Sequence, residues 1–136
     1  FKDLGQLKSE KTIDGLTLLA NEELPLFIKA EEANVSESNY TSALQDFSKV
    51  VELDQEDADA WYYIGFIYNQ TNNYEQAVIA LTKVIGMEAD AGDAYFERGI
   101  AWINLMKDED ACTDWSEGIL IGNEMCKKMY DAECVQ

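Results

Sequence analysis

The sequence contains no histidine among its 136 residues. Histidine is the usual general base of serine and cysteine hydrolases and a common nitrogen ligand of catalytic zinc. Its absence excludes Ser-His-Asp and Cys-His catalysis and any histidine-bound metal. Nothing singles out a carboxylate pair for acid–base work either. We therefore expect a protein that is not an enzyme and that holds no metal ion or cofactor.

Basic residues are scarce as well. The chain has 10 lysines and arginines against 27 acidic residues, which gives a formal net charge of −17 at pH 7. Such a field repels phosphate backbones and anionic membrane surfaces. We expect no nucleic-acid partner and a preference for neutral to basic protein partners. The plainer interpretation is that the charge mainly keeps the protein soluble.

The sequence has no long apolar run and only one proline. No run approaches the roughly 18 residues of a membrane span, so membrane insertion is not expected. The one proline, Pro25, leaves helices free to run with few interruptions. The chain begins at Phe1 without a methionine, which is compatible with a trimmed or mature form, so the lack of a visible signal peptide carries no conclusion.

What the sequence does have is a period of 34 residues. Ala77 is matched by Ala43 and Ala111, and Gly65 is matched by Gly99. A fixed period of this size indicates a stacked array of similar units. The second helix of each predicted unit carries an apolar stripe at helical spacing. The stripes are Tyr40, Ala43, Leu44, Phe47, Val50 and Val51; Tyr74, Ala77, Val78, Leu81, Val84 and Ile85; and Ala111, Cys112, Trp115, Gly118 and Ile119.

The period predicts how the chain is divided. Residues 1–23 form an N-terminal segment, irregular or with short helices, and residues 24–125 hold three repeats (24–57, 58–91 and 92–125). A last helix within 123–136 is expected because the apolar face of a terminal repeat must be covered. Its expected buried residues are Met125 or Cys126, Met129 and Ala132.

The second repeat resembles a tetratricopeptide repeat. The match rests on the block from Trp61 to Tyr68, followed by Tyr74, Ala77, Leu81 and Val84. The third repeat supplies Tyr95, Gly99, Trp102, Ala111 and Trp115. The usual closing proline is replaced by Gln55, Ala89 and Asn123, and Arg98 stands at an apolar position. The resemblance implies an all-α fold, a right-handed α-solenoid of about three helix hairpins plus a C-terminal capping helix, whose first helices line a concave groove.

The resemblance also implies which residues face that groove. The expected partner-binding residues are Tyr62, Tyr63, Phe66, Asn69, Phe96, Ile100, Ile103 and Asn104. Exposed rings offer large contact area at low entropy cost, and asparagine amides can bond to a peptide backbone. The implied function is a non-catalytic interaction module that binds a peptide segment or a protein partner in the groove.

An alternative function belongs to a different class. The same rings could be covered by the N-terminal segment of the chain or by a second protomer in a homodimer. The chain would then be a structural, self-assembling domain of a larger envelope complex. A clamp for a C-terminal carboxylate is not expected, because Asp93 and Glu97 stand where such clamps place lysine, arginine or asparagine.

The three cysteines lie in the last quarter of the chain. Cys126 and Cys134 are about 12 Å apart along one helix and cannot bridge. Cys112 could meet either of them, or all three could stay reduced. However, the segment Ala111 to Trp115, with the turn at Asn123 and a cysteine 22 residues after Cys112, is similar to the last repeat of bacterial cell-envelope tetratricopeptide proteins. That similarity implies a Cys112–Cys134 bridge, a buried Cys126 thiol, and a periplasmic or cell-envelope location rather than a cytoplasmic one.

Overall fold

The computed structural model describes residues 11–13, 16–18, 37–88 and 90–135, with side chains from residue 39 onward. These residues form two short strands and six helices. They are β1 (Lys11–Ile13), β2 (Leu16–Leu18), α1 (Glu37–Leu53), α2 (Ala58–Gln70), α3 (Tyr74–Met87), α4 (Gly92–Asn104), α5 (Asp108–Leu120) and α6 (Glu124–Glu133). The chain divides into two compact units, Phe1–Ala60 and Trp61–Gln136.

The first unit contains an antiparallel pair of strands. Its register pairs Lys11 with Leu18, Thr12 with Thr17 and Ile13 with Leu16. The expectation of irregular or short helical structure was wrong for these residues. The physical reason is local: the strands are rich in β-branched residues, and they flank Asp14-Gly15, a dipeptide typical of two-residue hairpins. The rest of the N-terminal segment and the predicted first helix of the first repeat lie outside the described residues.

Helix α1 carries the first apolar stripe and begins a few residues earlier than expected. Tyr40, Ala43, Phe47 and Val51 are buried along it, at the spacing of one helix face. The backbone of α1 lies close to β1. The following turn ends at Asp57, whose Oδ1 accepts a hydrogen bond of 3.0 Å from the backbone N–H of Ala60. Asp57 therefore caps the start of α2.

In the second unit, glycines allow first and second helices to come close together. A Cβ built on Gly65 would lie 2.7 Å from Cδ2 of Leu81, and one on Gly99 would overlap the ring of Trp115. Leu81 and Trp115 each lie one turn after the matched alanines, Ala77 and Ala111, on the second helices. Leu81 and Trp115 are fully buried by this approach.

The turns between paired helices share one backbone conformation. Asn72 and Met106, which are 34 residues apart, both have a φ of 64°. Asparagine tolerates this left-handed region and methionine does not. The helices that follow these turns, α3 and α5, have no side-chain N-cap hydrogen bond. Asn73 occupies the N-cap of α3 without a capping bond, and Asp108 lies inside α5, after Lys107.

An ion pair ties three helices of this unit together. Arg98 on α4 donates from Nε and Nη2 to the two carboxylate oxygens of Asp114 on α5, each at 2.7 Å. Its Nη1 also donates to Oγ1 of Thr82 on α3, at 3.0 Å. The hydrogen bond with Asp114 raises the pKa of Arg98. The residue that departs from the family pattern thus has a defined structural role.

The last helix is seated by its first turn. Asn123 accepts a 2.9 Å hydrogen bond from the backbone N–H of Cys126 and donates from Nδ2 to Oδ1 of Asp93, at 3.1 Å. Cys126 is fully buried against Gly92 and Gly118. Of the two alternatives Met125 and Cys126, Cys126 takes the buried position, whereas the expected burial of Ala132 was wrong because Ala132 is exposed. Met129 is half-buried against the same cluster.

A disulfide joins α5 to the C-terminal end of α6. It links Cys112 to Cys134, whose Cα atoms lie 5.8 Å apart, and confirms the predicted pairing. Cys126 is a free buried cysteine, also as predicted. Burial, followed by the charges of Asp93 and Asp114, raises the pKa of this thiol to about 12. None of the helices in the described part is both long and apolar enough to cross a membrane.

Candidate functional site

The eight predicted partner-binding residues lie on two helices. Four belong to α2 and four to α4, the first helices of the second and third repeats. We call the residues that these helices share on one side the α2–α4 face. It comprises Tyr62, Tyr63, Phe66 and Asn69 of α2 and Asp93, Phe96, Glu97, Ile100, Ile103 and Asn104 of α4.

The structure divides the predicted residues by exposure. Tyr63, Phe66 and Asn69 are only 6%, 4% and 6% exposed, so they present little surface to a partner. Five others keep some or most of their surface; they are Tyr62, Phe96, Ile100, Ile103 and Asn104.

The part-exposed side chains also contribute to the core. Tyr62 packs against the cluster that contains Leu81 and Val84. Phe96, Ile100 and Ile103 pack against the cluster around Trp115. The backbone carbonyl of Phe96 accepts a 3.2 Å hydrogen bond from Nε1 of Trp115, which fixes this part of α4. The accessible apolar surface of the face is therefore held on rigid elements.

Asn69 connects α2 to α4. Its Nδ2 donates to the backbone carbonyl of Glu97 and to Oε1 of the same residue, both at 2.9 Å. These two acceptors determine the orientation of the amide, because a flipped amide would turn its oxygen toward them. The other atom, Oδ1, is buried and has no hydrogen-bond donor. A buried acceptor without a donor costs about 1–3 kcal/mol.

Asn104, the second predicted amide, behaves differently. It is exposed, and its Nδ2 donates to the carbonyl of Ile100 on its own helix, at 2.8 Å. Within the described residues, its side chain makes no hydrogen bond to another repeat. The two asparagines, which were given the same expected role, thus differ: Asn104 is exposed, whereas Asn69 is buried and its amide is held by Glu97.

Acidic side chains add charge to the α2–α4 face. Asp93 and Glu97 are four residues apart on α4, so they share one side of the helix. Burial, then Glu97, then Asp93 raise the pKa of Tyr62 well above its ordinary value. Sequence reasoning placed both acids on the groove, where they exclude a carboxylate clamp and favour a neutral to basic partner, but did not include them among the partner-binding residues. The sequence signal for these two acids was their four-residue spacing on α4, on either side of Phe96 in the sequence.

The described residues hold no group of three or more cysteine, aspartate or glutamate side chains placed to bind a metal ion. The ion pairs found there are Arg98–Asp114 and the exposed pair of Lys127 with Asp131 on α6. The α2–α4 face combines a part-exposed apolar surface with the exposed side chain of Asp93 and the buried side chains of Glu97 and Asn69.

Paired helices at a 34-residue period, with glycines at the close contacts, are the architecture of helical repeats. A family model for the tetratricopeptide repeat matches residues 35–103. The chain belongs to the tetratricopeptide repeat family. The predicted all-α helical-repeat fold is thereby confirmed, with the strands of the first unit as a local addition.

Solved tetratricopeptide-repeat structures support the same fold. One crystal structure of MamA is 21% identical, with 83% of this chain and 76% of that chain covered and a TM-score of 0.62. A second MamA structure is 20% identical, covering 86% of this chain and 68% of the other, with a TM-score of 0.56. At these identities the likeness concerns the fold alone. No curated protein sequence matches the chain.

The family is one of protein-interaction scaffolds. That coarse function applies to this chain as a tetratricopeptide repeat protein. Members of the family are typically non-catalytic.

Proposed function

We propose that the chain is a non-catalytic interaction module that binds a peptide segment or a protein partner on the α2–α4 face. The observation that carries the proposal is the part-exposed apolar surface that Phe96, Ile100 and Ile103 of α4 present near the exposed side chain of Asp93. Tyr62 and Phe96 supply the apolar contact area.

The partner is neutral to basic. The chain carries a net charge of −17, and Asp93 and Glu97 place part of that charge on the α2–α4 face itself. Electrostatic complementarity favours a basic segment and disfavours an acidic one. Ionic strength should therefore weaken capture, mainly by slowing association.

Selection of random twelve-residue peptides displayed on phage tests this function. The wild-type chain is compared with a Phe96→Ala/Ile103→Ser variant, which removes part-exposed apolar surface from α4. Ile79→Ser is the matched control, because Ile79 is an exposed apolar residue on the second helix α3. Phe66→Ala is a poor probe, since Phe66 is buried and its loss would cost about 3–5 kcal/mol of stability.

We expect the wild type and the control to enrich a common peptide motif, and the double variant to lose it with unchanged helical circular dichroism. Enrichment that is equal in all three proteins would show that another surface binds. Absence of any enrichment would count against the module itself.

The second candidate is the structural domain whose face is covered by its own N-terminal segment or by a second copy. The part-exposed apolar side chains of Phe96, Ile100 and Ile103 are the surface that such a contact would cover. Deletion of residues 1–20 discriminates the two. A covered face predicts a lower unfolding midpoint or new association in analytical ultracentrifugation, whereas an open face predicts little change.

A further inference from the structure

Helix α6 has few attachments to the rest of the chain. It is 10 residues long, and seven of these residues are exposed. Cys126 is its one fully buried side chain, and Met129 and Tyr130 are half-buried against the cluster around Trp115. A helix shorter than about 12 residues is marginal by itself in water, so α6 depends on these few contacts to stay in place.

The two ends of α6 are held by different kinds of bond. At the N-terminal end, Asn123 is hydrogen-bonded to the backbone N–H of Cys126 and to the carboxylate of Asp93. The preceding Gly122 has a φ of 87°, and a Cβ built on it would meet no atom within 4 Å, so the turn into α6 is uncrowded. At the C-terminal end, the disulfide to α5 is the sole covalent link other than this turn.

The helices beneath α6 are held together without it. The buried cluster around Leu81 contains side chains of α2, α3 and α4 and, among the described residues, none of α6. Helix α5 is fastened to α4 by the ion pair of Arg98 with Asp114 and by the hydrogen bond from Trp115 to the carbonyl of Phe96. Loss of α6 would therefore leave α5 attached.

The disulfide lies where a reductant can approach it. Cys112 and Cys134 are each part-exposed, whereas Cys126 is fully buried. Exposed disulfides are the ones that are reduced most easily and that serve regulatory roles. Reduction of this bond would remove the covalent restraint from the end of α6 that has no other fixed attachment to α5.

We propose that the Cys112–Cys134 disulfide is a redox latch on α6. Its reduction lets α6 open about Gly122 and uncovers Cys126 and the side of α5 beneath it, while α3, α4 and α5 stay folded. The latch does not depend on the binding of a partner to the α2–α4 face, so the two proposals fail separately.

A dithiol supplies the electrons in two thiol–disulfide exchanges. Its first thiolate attacks Sγ of Cys134, which forms a mixed disulfide and releases Cys112 as a thiolate that takes up a proton. The second thiolate of the dithiol then attacks its own sulfur in the mixed disulfide and releases Cys134, which is also protonated. The chain gains two electrons and two protons, and the dithiol is oxidised to a disulfide.

Opening changes the accessibility of one thiol. In the closed form, Sγ of Cys126 lies so close to the backbone of Gly118 that a Cβ built there would overlap it. Burial also raises the pKa of this thiol to about 12, so the reactive thiolate is scarce. Movement of α6 removes both restraints, because Cys126 is carried by α6 itself.

Alkylation of Cys126 by iodoacetamide in the native chain tests the latch. The Cys112→Ser/Cys134→Ser variant imitates the reduced state and leaves Cys126 as its single thiol, and in the oxidised wild type Cys126 is likewise the free cysteine. Without denaturant, we expect the variant to be labelled about 100-fold faster than the oxidised wild type, because no covalent loop holds α6 closed.

Hydrogen exchange followed by mass spectrometry distinguishes local opening from unfolding of the whole unit. In the reduced chain, amides of α6 should be at least about tenfold less protected than amides of α3, with a weaker dependence on urea, and the gap should narrow in the oxidised chain. Val84→Ala is the matched control. It removes buried volume from α3 and keeps the disulfide, so it should speed exchange in α3 without a selective gain in α6.

Each contrary result has a defined meaning. Equal labelling of Cys126 in the variant and the oxidised wild type would overturn the latch, since the disulfide would not control α6. Equal protection of α3 and α6 in the reduced chain would also overturn it, because α6 would leave only when the whole unit unfolds. The same selective gain in Val84→Ala would indicate general destabilisation instead.

A variant that does not fold still leaves a decisive measurement. The wild type can be folded with its disulfide and then reduced by dithiothreitol, and the exchange of α3 and α6 compared in that sample. Loss of its helical circular dichroism on reduction would overturn the latch, which requires α3, α4 and α5 to stay folded.

Discussion

Replacement of Arg98 by leucine restores the apolar residue that the family pattern has at this position, yet it should strongly destabilise the protein. The side chains of Arg98 and Asp114 are only 19% and 4% exposed. Leucine would leave the carboxylate of Asp114 buried without its two charged hydrogen bonds. Removing one partner of a buried pair costs about 3–5 kcal/mol. With a slope of about 1–3 kcal/mol per molar urea, the unfolding midpoint should fall by more than 1 M.

A double-mutant cycle measures the pair itself. Asp114→Asn removes the negative charge and leaves Arg98 partly able to reach water, so its cost should be smaller, about 2 kcal/mol. The Arg98→Leu/Asp114→Asn double variant should be more stable than the sum of the two single changes predicts, by about 2 kcal/mol. Arg98→Lys keeps the charge but not the two-pronged geometry, and it should fall between wild type and Arg98→Leu.

Urea unfolding followed by far-ultraviolet circular dichroism provides these free energies. Additive single changes would mean that the two side chains are not coupled. A leucine variant as stable as the wild type would mean that the burial of Asp114 is not costly, and either result would refute the reasoning. If Arg98→Leu proves too unstable to purify, the lysine variant and Asp114→Asn still supply the comparison.

Three further changes test other parts of the second unit. Met106→Asn should raise the free energy of unfolding by about 1 kcal/mol, because Met106 is 86% exposed and has a φ of 64°, which asparagine adopts more easily than methionine. Chemical denaturation measures the change, and no gain in stability would argue against the left-handed turn. Reduction of the disulfide between Cys112 and Cys134, which are 22 residues apart, should lower the free energy of unfolding by about 3 kcal/mol. Unfolding with and without reductant, compared with the Cys112→Ser/Cys134→Ser variant, measures this, and equal midpoints would contradict it. In the disulfide-bonded chain, the thiol of Cys126 should resist alkylation until the chain unfolds, because its pKa rises to about 12 in the folded state. The free energy of unfolding should be constant below about pH 8.5 and then fall by about 1.4 kcal/mol per pH unit as the pH rises toward 12. A Cys126→Ser control should reduce that slope.

Much of the helical architecture could be predicted from periodicity. The stripes that include Phe47, Leu81 and Trp115 recur at a fixed spacing because each second helix must bury one face against its neighbours. The disulfide was also predictable, but from family resemblance rather than from geometry. Helix spacing excluded one pairing, Cys126 with Cys134, and left the choice between the others open.

The rest depended on contacts that a single sequence does not encode. Arg98 looks like a defect in the repeat until Asp114, sixteen residues later, is seen opposite it. The strands of the first unit were missed, although the Asp14-Gly15 dipeptide between them is a hairpin signal.

The candidate site shows the same limit. Its residues were predictable as positions on the first helices, since the period fixes which side chains share a face. Their exposure was not. Phe66 and Ile100 hold the same position of successive repeats, yet Phe66 is buried and Ile100 is partly open. The difference between Asn69 and Asn104 depends on Glu97, which only a three-dimensional contact reveals.

The disulfide also determines how the chain would respond to force applied at its ends. The disulfide closes a covalent loop between Cys112 and Cys134, which are 22 residues apart. Tension from the C-terminus therefore passes through the two sulfur atoms and enters α5 directly. Helix α6 would carry no load and could not be peeled away first. In single-molecule pulling, the fully unfolded chain should be shorter by about 75 Å while the disulfide is intact, and reductant should release this length. A domain of this kind can sit in a stretched assembly without losing the helix that covers the end of its core.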